Sequence, residues 1–187
     1  MRWIPFLILT YAVVLVETSV GWVLFIDISS LGAVGADLAA MVAVFVALHA
    51  RGAADAMLAA WTLGLAADLT CGGGVGAVTV LGPMSIAYCL AAGLLWRARE
   101  AFFRERALTQ AMLAFAFVAL AHGMWATAQA VLAPGHVTLG DYGRTLLQVL
   151  AVACCTAVLM PLAHYVLRKC QRVFLVAAAG PARRMRR

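Results

Sequence analysis

Six long apolar segments, separated by short polar ones, make up almost the whole of this chain. They cover residues 3–26, 31–48, 54–69, 75–96, 107–133 and 145–167. Each is close to the roughly 20 residues that a helix needs to cross about 30 Å of hydrocarbon. Because no water reaches the backbone N–H and C=O groups there, such segments have to be helical. The pattern therefore predicts an all-α integral membrane protein, a bundle of six transmembrane helices.

The basic residues fall almost entirely into alternate gaps between these segments. Of the fourteen Lys and Arg residues, Arg144 alone lies in a gap of the opposite set. The others are Arg2, Arg51, Arg97, Arg99, Arg104, Arg106, Arg168, Lys169, Arg172, Arg183, Arg184, Arg186 and Arg187. Because loops rich in Lys and Arg stay in the cytoplasm, both termini are expected there.

Composition leaves no room for a soluble domain, since 65% of the residues are hydrophobic and the mean hydropathy is +0.97. We expect one six-span membrane domain, residues 1–170, and a basic cytoplasmic tail, residues 171–187. The net charge of +6 comes from the loop and tail cations. It is therefore a topology signal and does not indicate nucleic acid, although the tail is also suited to rest on anionic lipid. Short outer loops make consecutive helices antiparallel neighbours in a compact bundle.

Three acidic residues lie within the apolar segments, namely Glu17, Asp37 and Asp68. Each costs about 2.5–3.5 kcal/mol at the centre of a membrane helix. One interpretation is a proton or ion path, or a polar ligand cleft. The other, which we favour, is a structural carboxylate held by hydroxyl groups, by backbone N–H groups or by Arg144. Asp68 precedes Thr70 and a glycine turn, whose N–H groups are suitable donors.

No motif for catalysis, for a metal or for a cofactor is evident. The Cys and His residues do not have metal-ligand spacing. The glycine run beginning at Gly72 lacks the lysine of a phosphate-binding loop, and HExxH and GxSxG are absent. His122 is expected to be a hydrogen-bonded interior residue. We therefore predict a protein that is not an enzyme and has no cofactor.

Several segments, in order along the chain, resemble the rod shape-determining MreD family. The second span opens with Gly35-Ala-Asp37-Leu, where the family typically has a proline in place of Ala36. The third span carries Gly64-Leu-Ala-Ala-Asp68-Leu-Thr-Cys-Gly72, followed by Gly76. A basic loop after the fourth span and a final span that ends before basic residues also fit.

The resemblance implies a non-enzymatic subunit of the bacterial cell-elongation complex in the inner membrane. Its partner would be the single-span protein MreC, and through it the actin-like MreB, RodA and penicillin-binding protein 2, which organise peptidoglycan synthesis. The structural or partner-binding residues would be Glu17, Asp37, Gly64, Asp68, Gly72 and Gly76.

The MreD fold is thought to resemble the S subunits of energy-coupling-factor transporters, so the alternative function is a vitamin-binding S subunit. An S subunit needs a closed polar pocket under its outer loops. A scaffold needs an accessible apolar groove for a partner helix. The outer loops contain few polar and aromatic residues, which favours the scaffold.

The cation pattern predicts the membrane topology. Reporter fusions at Arg187 and after Arg99 should be cytoplasmic, and a fusion near His136 should be external, because the basic gaps stay inside. Paired alkaline phosphatase and green fluorescent protein fusions measure this. A cytoplasmic reporter near His136 would contradict the six-span topology.

Overall fold

The computed structural model describes residues 2–19, 26–28, 32–70, 81–99, 106–132 and 139–174. These residues form six α-helices and one two-stranded β-hairpin. In chain order they are α1 (Trp3–Ser19), β1 (Ile26–Ile28), β2 (Gly32–Val34), α2 (Leu38–His49), α3 (Ala53–Thr70), α4 (Pro83–Ala98), α5 (Ala107–Leu132) and α6 (Leu139–Phe174). The helical class predicted from the sequence is confirmed, and the hairpin is an addition to it.

Two of the helices are long and apolar enough to cross a bilayer. They are α5, with 26 residues, and a 31-residue stretch of α6, Gly140–Cys170. The helices α1 and α2 are apolar but shorter. A membrane location is therefore supported by length and composition for two helices, and six spans stay a prediction.

Helix α2 is the centre of the bundle. It contacts all five other helices, and residues 39–48 are all buried. Its sequence is Ala and Val on nearly every side, and a helix that is apolar all round belongs in the interior. Small side chains also let the neighbouring helices come close to it.

The second predicted span, residues 31–48, is wrong at its beginning. Helix α2 begins at Leu38 because the side chain of Asp37 accepts a hydrogen bond from Ala40 N, as an N-cap does. Upstream, Gly32 has a φ of 81°, a left-handed conformation that is incompatible with a helix. β2 instead pairs antiparallel with β1, with Asp27 opposite Ala33. The 12 residues of α2 span only about 18 Å.

The other helices differ from their predicted segments by varying amounts. Helices α3 and α5 match the predicted segments 54–69 and 107–133 to within one residue at each end. Helix α1 ends at Ser19, short of the predicted residue 26. Helix α6 extends past the predicted 145–167 at both ends and includes residues 171–174, which we had assigned to the tail.

Pro83 occupies the first turn of α4, where its missing N–H costs nothing. The predicted fourth span began at residue 75, and the stretch from 71 to 80 lies outside the described residues. So do Gly72, Gly76 and residues 175–187.

The basic helix ends come together at one end of the bundle. The Arg99 side chain donates from Nη1 to Ala50 O at 2.6 Å, so the end of α4 meets the turn between α2 and α3. The rings of His49 and His164 lie 5.3 Å apart, which brings the end of α2 to the last third of α6. We call this the basic end, and the opposite end, which carries β1 and β2, the hairpin end. Which of them faces the cytoplasm stays a prediction.

A close helix contact lies at Gly64, between α3 and α4. A Cβ at this position would lie 2.7 Å from Ser85 Cα and 2.8 Å from Met84 O. Both are backbone atoms, which a rotamer change cannot move away. Gly64 is therefore a packing residue, as the small residues of membrane helix pairs often are.

Gly64→Ala should destabilise the fold, because the new methyl group overlaps the backbone of α4, at a cost of about 1–3 kcal/mol. The measurement is the temperature at which the detergent-solubilised protein loses its monodisperse peak in size-exclusion chromatography. Gly123→Ala is the matched control, since a Cβ there meets nothing within 4 Å. Equal unfolding temperatures for the two variants would contradict this role of Gly64.

Candidate functional site

Hydrogen bonds from Asp37 connect four helices. Its Oδ1 accepts from Ala40 N at 2.7 Å, within α2. Its Oδ2 accepts from the Tyr88 hydroxyl of α4 at 2.5 Å and from His122 Nε2 of α5 at 2.7 Å. Its own backbone N–H donates to Thr156 Oγ1 of α6 at 3.0 Å. Asp37 is buried, with 8% of its surface exposed.

Each partner of Asp37 is itself fixed by its surroundings. Tyr88 is fully buried, and its ring packs edge-on against Phe117 at 5.2 Å. Its hydroxyl therefore needs a partner inside the protein. Thr156 donates its hydroxyl hydrogen to Val152 O at 2.8 Å, so only its lone pairs are left for the Asp37 N–H. A ring nitrogen that faces a carboxylate carries a hydrogen, which identifies Nε2 of His122 as a donor.

These bonds offset the cost of burying a carboxylate. An unpaired charge in a low-dielectric interior costs several kcal/mol, whereas hydrogen bonds to a charged group contribute about 1.5–3 kcal/mol each. The three donors to Asp37 leave little of its hydrogen-bonding capacity unused. These bonds tie the helices together at Asp37, and whether the carboxylate has a function besides this stays a prediction.

A cavity of about 520 Å³ opens beside Asp37 at the hairpin end. Its walls come from the helices α1, α3, α4, α5 and α6, from β2 and from the segment that joins β2 to α2. Its polar and aromatic lining residues are Glu17, Thr18, Asp37, Thr70, His122, Trp125, Thr145 and Gln148. We call it the acidic cleft. Gln148 donates from Nε2 to Ala33 O at 2.9 Å and so holds β2 against α6.

The structure brings Glu17 and Asp37 together and places Asp68 elsewhere. The carboxylate of Glu17 lies beside the Leu38 N–H and near the carboxylate of Asp37. Glu17 therefore belongs to the acidic cleft and lies in the last turn of α1.

Asp68 caps a neighbouring helix. Its Oδ2 accepts from Gly82 N and from Ser85 N, each at 3.1 Å. Gly82 is the N-cap residue of α4 and has no side chain to satisfy the first N–H groups of that helix. The carboxylate of Asp68, at the end of α3, supplies the missing acceptor and favourable charge. Backbone N–H donors were predicted, and those found in the described residues lie 14 and 17 residues downstream. The glycine turn itself lies outside the described residues.

Tyr88 and Thr156 were not predicted as site residues from the sequence, and His122 was not connected with Asp37. The available signal was the small number of polar side chains within the apolar segments. Each buried acid needs donors, and few residues can supply them. Their distances from Asp37 along the chain, up to 119 residues, give no indication of which ones do.

A second concave surface, of about 710 Å³, runs along α5 and α6. Its lining residues are Ala119, Leu120, Gly123, Met124, Thr127, Ala128, Val131, Leu132 and Leu146. We call it the α5–α6 groove. It shares no lining residue with the acidic cleft. Apart from Thr127, its side chains are apolar.

Metal binding has no support in the described part of the chain. There, no group of three or more His, Cys, Asp or Glu side chains is arranged to hold a metal ion. The carboxylate of Asp37 makes its hydrogen bonds within the protein. The polar side chains that line the acidic cleft are suited to bind a polar ligand.

Tyr88→Phe should destabilise the fold by about 1.5–3 kcal/mol, because it removes a hydrogen bond to a buried carboxylate. The unfolding temperature of the detergent-solubilised protein, measured by size-exclusion chromatography as for Gly64→Ala, tests this. Tyr165→Phe is the matched control, since Tyr165 is 60% exposed on α6. The stability lost in Tyr88→Phe should also be smaller when Asp37→Asn is already present. If the stability losses of the two substitutions were fully additive, this would contradict a direct interaction between the two side chains.

The chain was compared with known protein families, with curated proteins and with solved structures, and none of them matches it.

Proposed function

We propose that this protein is a non-enzymatic, multi-pass subunit of the bacterial cell-elongation complex, of the MreD type, in the inner membrane. It binds the single transmembrane helix of an MreC-like partner in the α5–α6 groove. Through that partner it contributes to placing MreB, RodA and penicillin-binding protein 2 and so maintains cell shape. The ordered MreD-like segments suggest the family, and the groove supports the mode of binding.

The proposal rests on the open space beside Gly123. Ala119, Gly123 and Thr127 are spaced by four residues along α5 and line the groove. Small residues at this spacing allow two membrane helices to pack closely. A Cβ at Gly123 would meet nothing within 4 Å, whereas one at Gly64 would overlap the backbone of α4. The chain's own packing thus requires glycine at position 64 but not at position 123.

A single apolar helix suits this groove better than a polar ligand does. In lipid, helices associate through van der Waals packing and interhelical hydrogen bonds rather than through the hydrophobic effect. The apolar walls of the groove supply the van der Waals contacts, and the exposed hydroxyl of Thr127 supplies an interhelical hydrogen bond. Thr127 donates to Gly123 O at 2.8 Å and lies 3.1 Å from the Tyr142 hydroxyl.

Gly123→Leu should abolish binding of the MreC-like partner, because the larger side chain occupies the groove. We expect at least about a tenfold loss of co-purified partner, equivalent to 1.4 kcal/mol. Cells that depend on the variant should become round. Gly143→Leu is the matched control, since a Cβ there also meets nothing within 4 Å and the residue does not line the groove. Undiminished capture by folded Gly123→Leu would contradict the proposed binding site.

The acidic cleft favours a second candidate, the vitamin-binding S subunit of an energy-coupling-factor-type transporter. It is a polar cavity at the hairpin end, and such a subunit requires one there. A clean deletion separates the two functions. Round cells with normal vitamin uptake support the elongation complex, and normal shape with a vitamin requirement supports the transporter.

A further inference from the structure

The lining of the acidic cleft contains more acidic than basic side chains. Two of its lining residues, Glu17 and Asp37, are acids, and none of its lining residues in the described part of the chain is Lys or Arg. His122 can contribute at most one positive charge, and its Nε2 is already bonded to Asp37. In the part of the chain that the structure describes, Glu17 makes no ion pair. Burial strengthens the attraction of these carboxylates for a cation, because screening by water is weaker there.

The hydroxyl groups of the cleft offer acceptors. Thr18, Thr70 and Thr145 each donate their hydrogen to the carbonyl four residues earlier in their own helix, at 2.8, 2.9 and 2.9 Å. A hydroxyl whose hydrogen is engaged presents only lone pairs. Gln148 bonds Ala33 O through Nε2, so its Oε1 is the atom available as an acceptor. The cleft is therefore matched to a ligand with several N–H donors.

Glu17 retains most of its hydrogen-bonding capacity. A carboxylate has about four lone-pair sites, and the backbone N–H of Leu38 is the donor that lies beside Glu17. Asp37, in contrast, is occupied by three donors. Of the two carboxylates, Glu17 is thus the one able to bind a guest without breaking bonds that hold the helices together.

Size and lining indicate an organic ion. The volume of about 520 Å³ falls within the range of small-molecule sites, roughly 300–1,000 Å³. The aromatic and apolar part of the wall is formed by Trp125, Val149 and Val152. A tryptophan ring attracts ammonium groups. The non-helical residues 35–37 also border the cleft, and irregular backbone at membrane depth is tolerated where it lines a cavity.

We propose that the acidic cleft binds a small organic ammonium ion. Its –NH₃⁺ group donates to the Glu17 carboxylate and to the acceptors of Thr145 and Gln148. Its apolar body lies against Trp125. An ammonium group has three donors and no acceptor, which complements this lining. The site does not depend on the α5–α6 groove, so it stands or falls independently of partner binding.

The test uses the full-length protein in phosphatidylcholine nanodiscs, with 2-phenylethylammonium and butylammonium as probes and isothermal titration calorimetry against empty nanodiscs. We expect saturable binding of at least one probe. The neutral 2-phenylethanol and the anionic 3-phenylpropanoate should bind at least about tenfold more weakly than 2-phenylethylammonium. Equal binding of the alcohol would overturn the proposal, and so would the absence of saturable binding for both ammonium ions.

Variants identify the binding group. Glu17→Gln keeps the shape of the side chain and removes its charge, so it should weaken ammonium binding at least about tenfold. Trp125→Leu should weaken the aromatic probe more than butylammonium. Asp55→Asn, in the first turn of α3 at the basic end, should leave binding unchanged. Wild-type affinity in Glu17→Gln would overturn the proposal. Unchanged elution volume and an unchanged unfolding temperature verify that this variant is folded.

Discussion

The buried carboxylate of Asp37 is the interaction on which the arrangement of the bundle depends. It receives hydrogens from α2, α4 and α5, and its backbone N–H bonds α6. In surroundings of Ala, Val and Leu, apolar contacts allow many helix registers of similar energy. A buried charge that needs hydrogen-bond donors allows very few registers. Polar groups in apolar cores fix register in this way, at a cost in stability that their hydrogen bonds offset.

The same residue determines where the two concave surfaces form. Because α2 begins after Asp37, the preceding chain folds back as the β1–β2 hairpin and leaves the acidic cleft beside it. Helix α5 continues for ten residues beyond His122, or about 15 Å. Helix α2 does not extend alongside these ten residues of α5. Most of the α5 residues that line the α5–α6 groove lie in this part of the helix, from Gly123 to Leu132.

Helix α5 contributes to both surfaces, on different sides. His122 and Trp125 line the acidic cleft, and Gly123 and Thr127 line the groove. Successive helix residues are rotated by about 100°, which is why neighbours in sequence point to separate surfaces. A partner helix in the groove and a cation in the cleft would therefore bind the same helix without competing for one residue.

The sequence by itself determined the features that depend on short-range properties. Continuous apolar segments required helices, so α3 and α5 were predicted to within one residue. The alternation of basic gaps anticipated the basic end of the bundle. The tertiary structure alone decided the short α2, the hairpin and the contacts of each acid. Asp37 bonds residues 51 and 85 positions away, and Asp68 bonds residues 14 and 17 positions away. In a membrane-type sequence nearly every helix face is apolar, so hydropathy marks which segments are buried but not which faces meet. That choice was made by the few polar groups and by close approaches such as Gly64, whose partners are distant in the chain.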